Sequence, residues 1–314
     1  MPTRVLITGA SGFVGQHLVP ALLGAGYTVR AATRRPVSFQ GPVEAVIIPD
    51  LEAPIDWMPI LQDVDIVIHA AGHAHSSASA EEYSYIMRTN VDATRRLAED
   101  AKSAGVSRFV YVSSVRAQIG AFASHSVCEE DGPRPTNLYG RSKLAAEDAI
   151  RTAGVPFTIV RPVVMYGSGV KGNIKTLVRI AKLRLPVPIA RMTNRRSLLG
   201  VDNFISAIIF ALNTPATLND TYLLADPLPL SISEILITLR EAMGRSYIVV
   251  PIPEFVTRFL LSLSGRNDLW MRFVGDLVVD TRKIESLGWR PPKDTAKGLL
   301  EMLHADAGKR LQRY

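Results

Sequence analysis

Short apolar runs alternate with helix-patterned segments through the first half of the chain. The runs have the length of buried strands and lie at residues 4–8, 27–33, 43–49, 65–69, 108–114 and 157–162. Helical patterning marks residues 14–24, 83–105 and 139–150 between them. Strands separated by helices predict a parallel sheet with right-handed crossovers. We therefore expect an α/β fold built on a Rossmann-like, doubly wound parallel sheet.

The alternation loosens after residue 162. Helices are predicted at residues 174–183, at 202–212 and from 294 onward, with a brief strand at 221–225. Ser231 and Glu234 have the spacing of a capping box, and residues 255–263 are strongly apolar. No low-complexity linker interrupts the chain. We expect one domain at residues 1–165 and a smaller mixed α/β lobe at 166–314, with residues 197–225 packing back on the first domain.

The composition is that of an ordinary soluble protein. Of 314 residues, 47% are hydrophobic and 21% are charged. No apolar run reaches the roughly 18 to 20 residues of a membrane span, so we expect no stable membrane insertion. The chain starts directly with a strand pattern, which favours a cytoplasmic location. Cys128 is the only cysteine, so the sequence predicts neither a disulfide framework nor a cysteine-based metal site.

The net charge is +7, and its distribution limits the class of partner. Basic residues are spread in pairs rather than in one stripe, as at Arg34-Arg35, Arg95-Arg96 and Arg195-Arg196. The chain carries no nucleic-acid-binding motif. We therefore expect phosphate-bearing small molecules, and not nucleic acid, as ligands.

A glycine-rich turn follows the first strand and precedes the first helix. Gly9 and Gly12 allow a tight turn and a close approach to a pyrophosphate, and Gly15 allows the helix to pack closely on the strand. The helix N-terminus then offers free N–H groups to an anion. The spacing Gly-x-x-Gly-x-x-Gly departs from the usual dinucleotide motif. Its position between strand and helix still predicts dinucleotide binding.

The end of the second strand predicts which dinucleotide binds. In this type of fold an acidic residue there binds the ribose hydroxyl of NAD, whereas arginine accommodates the 2′-phosphate of NADP. The stretch is Thr33-Arg34-Arg35 and contains no acidic residue. NADP(H) is therefore preferred and NAD(H) remains an alternative. A pair of solvated loop arginines is the other interpretation.

Further candidates follow later strands. Asp50 could accept a hydrogen bond from an adenine amine or cap the next segment. The small residues from Ala70 to Gly72 suit packing against a flat ligand. His69, His73 and His75 are interpreted as loop histidines rather than metal ligands. Because ligands bind at the carboxyl ends of parallel strands, Gly9, Thr33, Ala71 and Ser114 are expected on one rim.

Tyr139 and Lys143 are spaced one helical turn apart. A phenol is a poor acid near neutral pH, with an ordinary pKa of about 10. A nearby ammonium favours the phenolate and should lower that pKa, so the pair could exchange a proton with an alcohol or carbonyl oxygen. The alternative is a surface lysine beside a half-buried tyrosine on an ordinary helix.

Taken together, these motifs resemble the extended short-chain dehydrogenase/reductase family. The resemblance rests on the motifs Thr8-Gly9-x-x-Gly12-Phe13-Val14-Gly15, Asp50, His69-Ala70-Ala71, Asn90-Val91, Tyr111-Val112-Ser113-Ser114, Tyr139-x-x-x-Lys143, Arg161-Pro162 and Leu287-Gly288-Trp289-Arg290-Pro291. It spans the whole chain and implies a nicotinamide cofactor in the N-terminal domain and a nucleotide sugar in the C-terminal lobe. A homodimer is expected by the same analogy.

The resemblance implies roles for individual residues. Ser114, Tyr139 and Lys143 would be catalytic. The cofactor would contact Gly9, Ser11, Gly12, Phe13, Val14, Thr33, Arg34, Arg35, Asp50, Leu51, Ala70, Ala71, Gly72, Asn90, Tyr139, Lys143, Pro162 and Val164. The sugar nucleotide would contact Ser114, Arg116, Tyr139, Asn173, Arg196 and Arg272.

Two features refine the expected activity. Ser114 is followed by Val115-Arg116-Ala117 instead of the family's frequent turn, and Arg34-Arg35 replaces the acidic group typical of epimerases. The segments 139–144, 169–173 and 194–198 look like the subgroup that reduces UDP-4-keto-6-deoxy-N-acetylhexosamines. An NADPH-dependent 4-ketoreductase for a UDP-sugar is therefore the leading hypothesis. A UDP-hexose 4-epimerase with bound NAD is the alternative, and a non-catalytic NADP-sensing regulator is a remote one.

Overall fold

Parallel strands form the centre of the fold in the computed structural model, which describes residues 2–73, 79–184, 187–190, 192–250 and 275–311. The strands are β1 (Arg4–Thr8), β2 (Thr28–Thr33), β3 (Val43–Ile47), β4 (Ile66–His69), β5 (Arg108–Val112), β6 (Phe157–Pro162), β7 (Val164–Tyr166), β8 (Val187–Ala190), β9 (Leu198–Gly200), β10 (Asp220–Leu224) and β11 (Tyr247–Val250). Seven of them make one parallel sheet in the order β3-β2-β1-β4-β5-β6-β10. The predicted α/β fold with a Rossmann-like, doubly wound sheet is confirmed.

Helices connect and cover the strands. They are α1 (Phe13–Gly24), α2 (Met58–Leu61), α3 (Ala80–Met87), α4 (Ala93–Ser103), α5 (Val115–Gln118), α6 (Leu138–Ala153), α7 (Gly172–Ala181), α8 (Val201–Asn213), α9 (Ile232–Ala242), α10 (Arg282–Ser286) and α11 (Thr295–Leu311). A π-helical turn (Arg88–Asp92) joins α3 to α4. The predicted capping box is present, because Ser231 and Glu234 each accept a backbone N–H from the other.

Burial explains why the apolar runs become strands of this sheet. All five residues of β5 are buried, as expected for a central parallel strand covered by helices on both faces. The edge strand β3 has partly buried and exposed residues instead. Apolar residues on the two faces of the sheet belong to two separate core clusters, one around Leu18 and Phe204 and the other around Trp57 and Leu97.

The strand register aligns the carboxyl ends along one edge. Thr8 lies opposite Ala32 on one side and His69 on the other, and His69 lies opposite Tyr111. The order of connection reverses between β1 and β4, where doubly wound folds have their binding crevice. The residues that follow β1, β2, β4 and β5 are therefore brought to one rim.

Two predicted segments differ from the structure. Residues 83–105 are not one uniform helix, because the π-helical turn at Arg88–Asp92 inserts a wider turn into it. The sequence pattern predicts no helix between residue 114 and residue 139, but α5 forms at Val115–Gln118. Ser114 caps that helix by accepting the N–H of Arg116 at 3.2 Å. Four residues are too few to show helical periodicity.

Short strands that the sequence pattern did not reveal lie after β6. β7 pairs with β9, and β8 pairs with β11, each in parallel. β10, by contrast, corresponds to the brief strand predicted at residues 221–225, and it pairs with β6 at the edge of the large sheet. The predicted apolar segment at 255–263 lies outside the described residues. The division of the chain at residues 165 and 166 stays a prediction.

Helix length and polarity also bear on membranes. In the portion of the chain that the structure describes, no helix combines the length and the apolar character needed to cross a membrane.

Candidate active site

The glycine-rich turn between β1 and α1 brings three backbone segments into close contact. Gly9 has a φ of +72°, and a Cβ there would lie 2.8 Å from the nitrogen of Ala71. A Cβ on Gly15 would lie 2.4 Å from the carbonyl oxygen of Gly9. The N–H of Gly12 donates to that same oxygen at 2.9 Å. The turn is therefore a cradle that side chains would fill, which fits a pyrophosphate at the N-terminus of α1.

The turn opens into a cleft of about 200 Å³ at the carboxyl ends of the strands. The predicted cofactor residues that line it are Gly9, Ser11, Gly12, Thr33, Arg34, Asp50, Leu51, Ala70, Ala71 and Gly72. The sequence missed five more lining residues, namely Ala32, Ile48, His73, Tyr85 and Thr89. Tyr85 and Thr89 reach the cleft from α3 and the π-helical turn, a tertiary approach that no local motif signals. The cleft lies where doubly wound folds bind a dinucleotide, and its lining includes the glycine turn that suits a pyrophosphate.

Arg34 lies at the open side of this cleft. Its side chain is 67% exposed, and its guanidinium donates to the Asp50 carboxylate at 2.7 Å. Asp50 also accepts the N–H of Glu52 and the hydroxyl of Tyr85. Burial opposes ionisation, but these hydrogen bonds and the Arg34 charge hold the pKa of Asp50 below its usual value. Arg35 is exposed, and its carbonyl oxygen accepts the Thr33 hydroxyl.

Tyr139 begins the helix that carries the predicted catalytic pair. Asn137 caps α6 by accepting the N–H of Gly140 at 2.8 Å. A Cβ on Gly140 would lie 2.2 Å from the carbonyl oxygen of Arg116, so glycine there lets α6 approach α5. This approach brings Ser114, which caps α5, close enough to Tyr139 for its side chain to lower the pKa of the phenol. The structure thus brings Ser114 and Tyr139 together.

Lys143 lies one turn further along α6 and is buried. Its ammonium donates to the Val112 carbonyl at 2.8 Å and to the Tyr111 hydroxyl at 3.2 Å. Burial lowers the pKa of Lys143 to about 8, although the Glu147 carboxylate opposes this effect. Lys143 also lies close to the cleft, because a Cβ on Gly72 would be 3.6 Å from its nitrogen.

The protonation of Tyr139 differs from the sequence expectation. Burial raises the pKa of Tyr139, and the groups that counter this are the Ser114 hydrogen bond and the Arg116 charge. The expectation that the Lys143 ammonium lowers the pKa of Tyr139 is therefore wrong for this arrangement, in which the ammonium is directed to Tyr111 and Val112. Tyr139 is a neutral phenol at neutral pH.

Asn90 connects the cleft to the catalytic helix. The side-chain NH2 of Asn90 donates to the His73 carbonyl and to the Ser142 hydroxyl. The side-chain oxygen of Asn90 accepts the backbone N–H of His73 at 2.7 Å. The hydroxyl of Ser142 in turn donates to the Tyr139 carbonyl at 2.8 Å. The π-helical turn places Asn90 at this point. Asn90 supports the site through Ser142 and His73.

His69 is a buried strand residue, so its interpretation as a loop histidine was wrong. Its two ring nitrogens lie 2.6 Å from the Thr8 hydroxyl and 2.9 Å from the Thr94 hydroxyl. The Thr94 hydroxyl donates to the Asn90 carbonyl. Burial and the Lys143 charge lower the pKa of His69 to about 3, so the ring is neutral. His73 lines the cleft, and His75 lies outside the described residues.

Two predicted substrate residues form a basic cluster near Tyr139. Arg196 is buried, and its guanidinium donates to the carbonyls of Gly275 and Ala121. Burial and the charge of Arg116 lower the pKa of Arg196 to about 10. The two guanidinium groups are therefore close enough for their positive charges to repel each other. Asn173 is exposed at the start of α7. Arg272 lies outside the described residues.

The remaining predicted cofactor residues lie around this rim. Phe13 and Val14 begin α1, and the Phe13 ring contacts His17 edge-on with centroids 5.5 Å apart. Pro162 is the buried last residue of β6, and Val164 is exposed at the start of β7. Pro162 thus lies at the carboxyl end of β6, the strand beside β5, and Val164 lies two residues beyond it.

Comparisons with known proteins agree with this geometry. A family model described as the NAD dependent epimerase/dehydratase family matches residues 5–225. The chain is 30% identical to the UDP-glucose 4-epimerase of Vibrio cholerae, over 97% of this chain and 96% of that protein. It is 32% identical to the ceramide reductase of Caulobacter vibrioides, over 67% of this chain and 61% of that protein. Among solved structures, it resembles MoeE5 in complex with UDP-glucose and NAD, with 26% identity, a TM-score of 0.78 and coverage of 98% and 99% of the two chains.

Proposed function

Because the chain belongs to the NAD-dependent epimerase/dehydratase family, we propose that it is a UDP-hexose 4-epimerase that uses NAD. The observation that carries the proposal is the closeness of Ser114 to Tyr139, where the Ser114 side chain acts to lower the pKa of the phenol, at the sheet rim that also forms the dinucleotide cleft. The UDP-glucose 4-epimerase of Vibrio cholerae and MoeE5 with UDP-glucose and NAD support a UDP-sugar and NAD.

The residues divide the chemistry at C4 of the sugar as follows. Oxidation of the C4 alcohol removes a proton from oxygen and a hydride from carbon, and reduction returns both, with the hydride delivered to the opposite face of C4 so that its configuration inverts. A nicotinamide held in the cleft would supply the hydride acceptor and donor. Tyr139 would take the proton from the C4 oxygen in its phenolate form and return it as the phenol. Ser114 would donate a hydrogen bond to that oxygen, and Lys143, whose nitrogen lies beside Gly72 in the cleft, would supply positive charge to the cofactor ribose.

The glycine turn and the basic cluster complete the proposed site. Gly9, Gly12 and the N-terminus of α1 would hold the cofactor pyrophosphate. Arg116 and Arg196 would bind the diphosphate of the sugar nucleotide, because a charged guanidinium binds phosphate oxygens in a bidentate manner. Asn173 and Arg272 remain predicted contacts of the sugar nucleotide.

Product analysis tests the proposed epimerase activity. The purified protein is incubated with NAD and either UDP-glucose or UDP-N-acetylglucosamine, and the sugar is analysed by NMR. We expect the C4 epimer to accumulate without net change in nicotinamide absorbance. Absence of any epimer, together with consumption of NADPH on a UDP-4-keto-6-deoxy sugar, would contradict the epimerase and support a reductase.

An NADPH-dependent 4-ketoreductase is the second candidate. The observation that favours it is Arg34 beside the cleft, followed by the exposed Arg35, with Arg34 oriented by Asp50 at 2.7 Å. The ceramide reductase of Caulobacter vibrioides is a relative named for a reduction. In this reaction Tyr139 donates a proton once and never needs to accept one from the sugar. The resemblance to the 4-ketoreductase subgroup stays a prediction.

The cofactor preference separates the two candidates. Arg34→Ala should weaken NADPH binding by roughly tenfold or more and leave NADH binding close to wild type, because one charge-assisted hydrogen bond to the 2′-phosphate is worth about 1.5–3 kcal/mol. Arg95→Ala is the matched control, since Arg95 is also exposed and ion-paired, but to Glu99 on α4. Equal losses for NADPH and NADH would contradict an NADP preference. Protein purified with NAD already bound would favour the epimerase.

Two further expectations remain predictions. A homodimer is proposed from the family analogy, and size-exclusion chromatography with light scattering tests it. The non-catalytic regulator is disfavoured by the arrangement of Ser114, Tyr139 and Lys143, and any turnover that Tyr139→Phe abolishes would contradict it.

A further inference from the structure

A buried carboxylate lies one helical turn after Lys143. Glu147 is 0% exposed and lies between α6 and the ends of β5 and β6. The Ser113 hydroxyl donates to its Oε1 at 2.5 Å. The Arg161 guanidinium donates to both of its oxygens, at 2.9 Å from Nε and 2.5 Å from Nη2. The mechanism above makes no use of this carboxylate.

The partners of Glu147 are direct neighbours of site residues. Ser113 precedes Ser114 in the chain, and Arg161 precedes Pro162. Arg161 also donates to the side-chain oxygen of Gln118, the last residue of α5. Gln118 then donates to the carbonyls of Cys128 and Asp131. One carboxylate therefore ties α6 to β5, α5, β6 and the loop that follows α5.

Burying the charges of Glu147 and Arg161 destabilises the protein unless each group keeps its hydrogen-bonded partner. A buried ion that loses its partner destabilises a protein by several kcal/mol, whereas a fully hydrogen-bonded pair does not. The Glu147–Arg161 pair has side chains that are 0% and 4% exposed. Arg151 adds a third contact to Glu147 from the surface side, at 3.3 Å. The carboxylate is thus held in one orientation.

We propose that Glu147 is a positioning residue for the catalytic set. Its oxygens hold the Ser113–Ser114 end of β5 against α6, and its negative charge acts on Lys143 one turn away. The inference rests on the proposed function only in taking Lys143 as the residue that contacts the cofactor.

The charged and titratable groups around Lys143 support this assignment. His69 on β4 is neutral, with a pKa lowered to about 3 by burial and by the Lys143 charge. Tyr111 on β5 is neutral, since burial raises its pKa well above the usual value. Tyr139 on α6 is a neutral phenol. Glu147 is the group whose charge raises the pKa of Lys143, against burial that lowers it to about 8.

The test is the pH dependence of NADH affinity, measured by nicotinamide fluorescence. In the wild type, NADH affinity should fall as pH rises past about 8, where Lys143 loses its proton. In Glu147→Gln the pKa of Lys143 should be lower, so this fall in NADH affinity should begin at lower pH. Near pH 8 the variant should therefore bind NADH roughly tenfold more weakly than the wild type, which is the loss expected for one charge-assisted hydrogen bond. Glu147→Asp keeps the charge and should restore the wild-type profile.

Asp148→Asn is the matched control. Asp148 is the next residue on α6, but it is exposed and pairs with Arg151 at 2.9 Å. It removes the same charge from the same helix without touching Ser113 or Arg161. Its pH profile should match the wild type.

A double variant guards against misfolding. Glu147→Gln leaves Arg161 buried without its carboxylate and could unfold the protein. Glu147→Leu with Arg161→Met replaces the pair by apolar side chains, a change that proteins often tolerate. This double variant should fold cooperatively and still show the fall in NADH affinity at lower pH than the wild type.

A wild-type pH profile in either folded variant would overturn the proposal, because the carboxylate would then be structural only. A wild-type protein that binds no nicotinamide cofactor at any pH would instead contradict the proposed function. The two failures are therefore distinguishable.

Discussion

Gly15→Ala tests whether the close contact of α1 with the glycine turn creates the cofactor site. The added Cβ would lie 2.4 Å from the Gly9 carbonyl oxygen and 2.5 Å from the Ala10 Cα. These are backbone atoms and cannot rotate away, so the turn or the helix must shift. Overpacking of this kind costs about 1–3 kcal/mol. Alanine at an interior helix position recovers up to about 1 kcal/mol.

The cost should appear mainly in cofactor affinity. The free protein can relax the turn, but binding a pyrophosphate requires the original position of the N–H groups of the turn. If binding must restore the strained arrangement, an energy of about 1–3 kcal/mol corresponds to a loss of NADH affinity of about 5- to 150-fold. Nicotinamide fluorescence titration measures it.

Gly24→Ala is the control on the same helix. No atom lies within 4 Å of a Cβ at position 24, which is the last residue of α1. We expect this variant to bind NADH like the wild type and to be slightly more stable, by less than about 1 kcal/mol. Wild-type NADH affinity in Gly15→Ala would refute the reasoning, because the contact between α1 and the turn would then be irrelevant to the site.

Two further predictions concern the catalytic helix. Tyr139→Phe should reduce turnover by about 100-fold or more, the range of general acid–base catalysis, while NADH affinity measured by fluorescence stays close to wild type. The pKa of Lys143 in the folded state is about 8, below its ordinary value of 10.5. The buried charge therefore destabilises the folded protein below pH 8, and this destabilisation disappears as pH rises toward 10.5. Denaturant melts should show Lys143→Met gaining most relative to wild type below pH 8, with the difference shrinking by up to roughly 3 kcal/mol at pH 10.5. A pH-independent difference would contradict the lowered pKa.

The sequence predicts the sheet well because burial on both faces leaves a direct pattern. The residues of β5 are all buried, and its last four, residues 109–112, form the kind of apolar run that a central parallel strand requires. The aligned carboxyl ends then follow from topology alone. This is why the sequence alone could assign Gly9, Thr33, Ala71 and Ser114 to one rim, and Gly9, Thr33 and Ala71 line the cleft there.

Other features depend on contacts that no local pattern encodes. α5 is short and forms because Ser114 caps it, and the π-helical turn interrupts a regular helical pattern without a Gly or Pro signal. In the sequence, His69 is one of three neighbouring histidines that predict a turn. In the structure, its ring nitrogens contact the hydroxyls of Thr8 and Thr94, which are 61 and 25 residues away along the chain. Glu147 and Arg161 are 14 residues apart, and only the packing of α6 on β6 makes them a pair.

The resting protonation of the site bears on the choice between epimerase and reductase. Burial places the pKa of Lys143 near 8 and raises that of Tyr139. The phenol is therefore neutral and can donate a proton, which a reductase requires in its single reduction step. An epimerase must first use Tyr139 as a base, and this requires a positive charge close to the Tyr139 oxygen. Lys143 does not provide that charge while its ammonium donates to Tyr111 and Val112. For epimerisation, the rate should thus rise with pH until Lys143 deprotonates, whereas a reductase should lose activity steadily on the alkaline side.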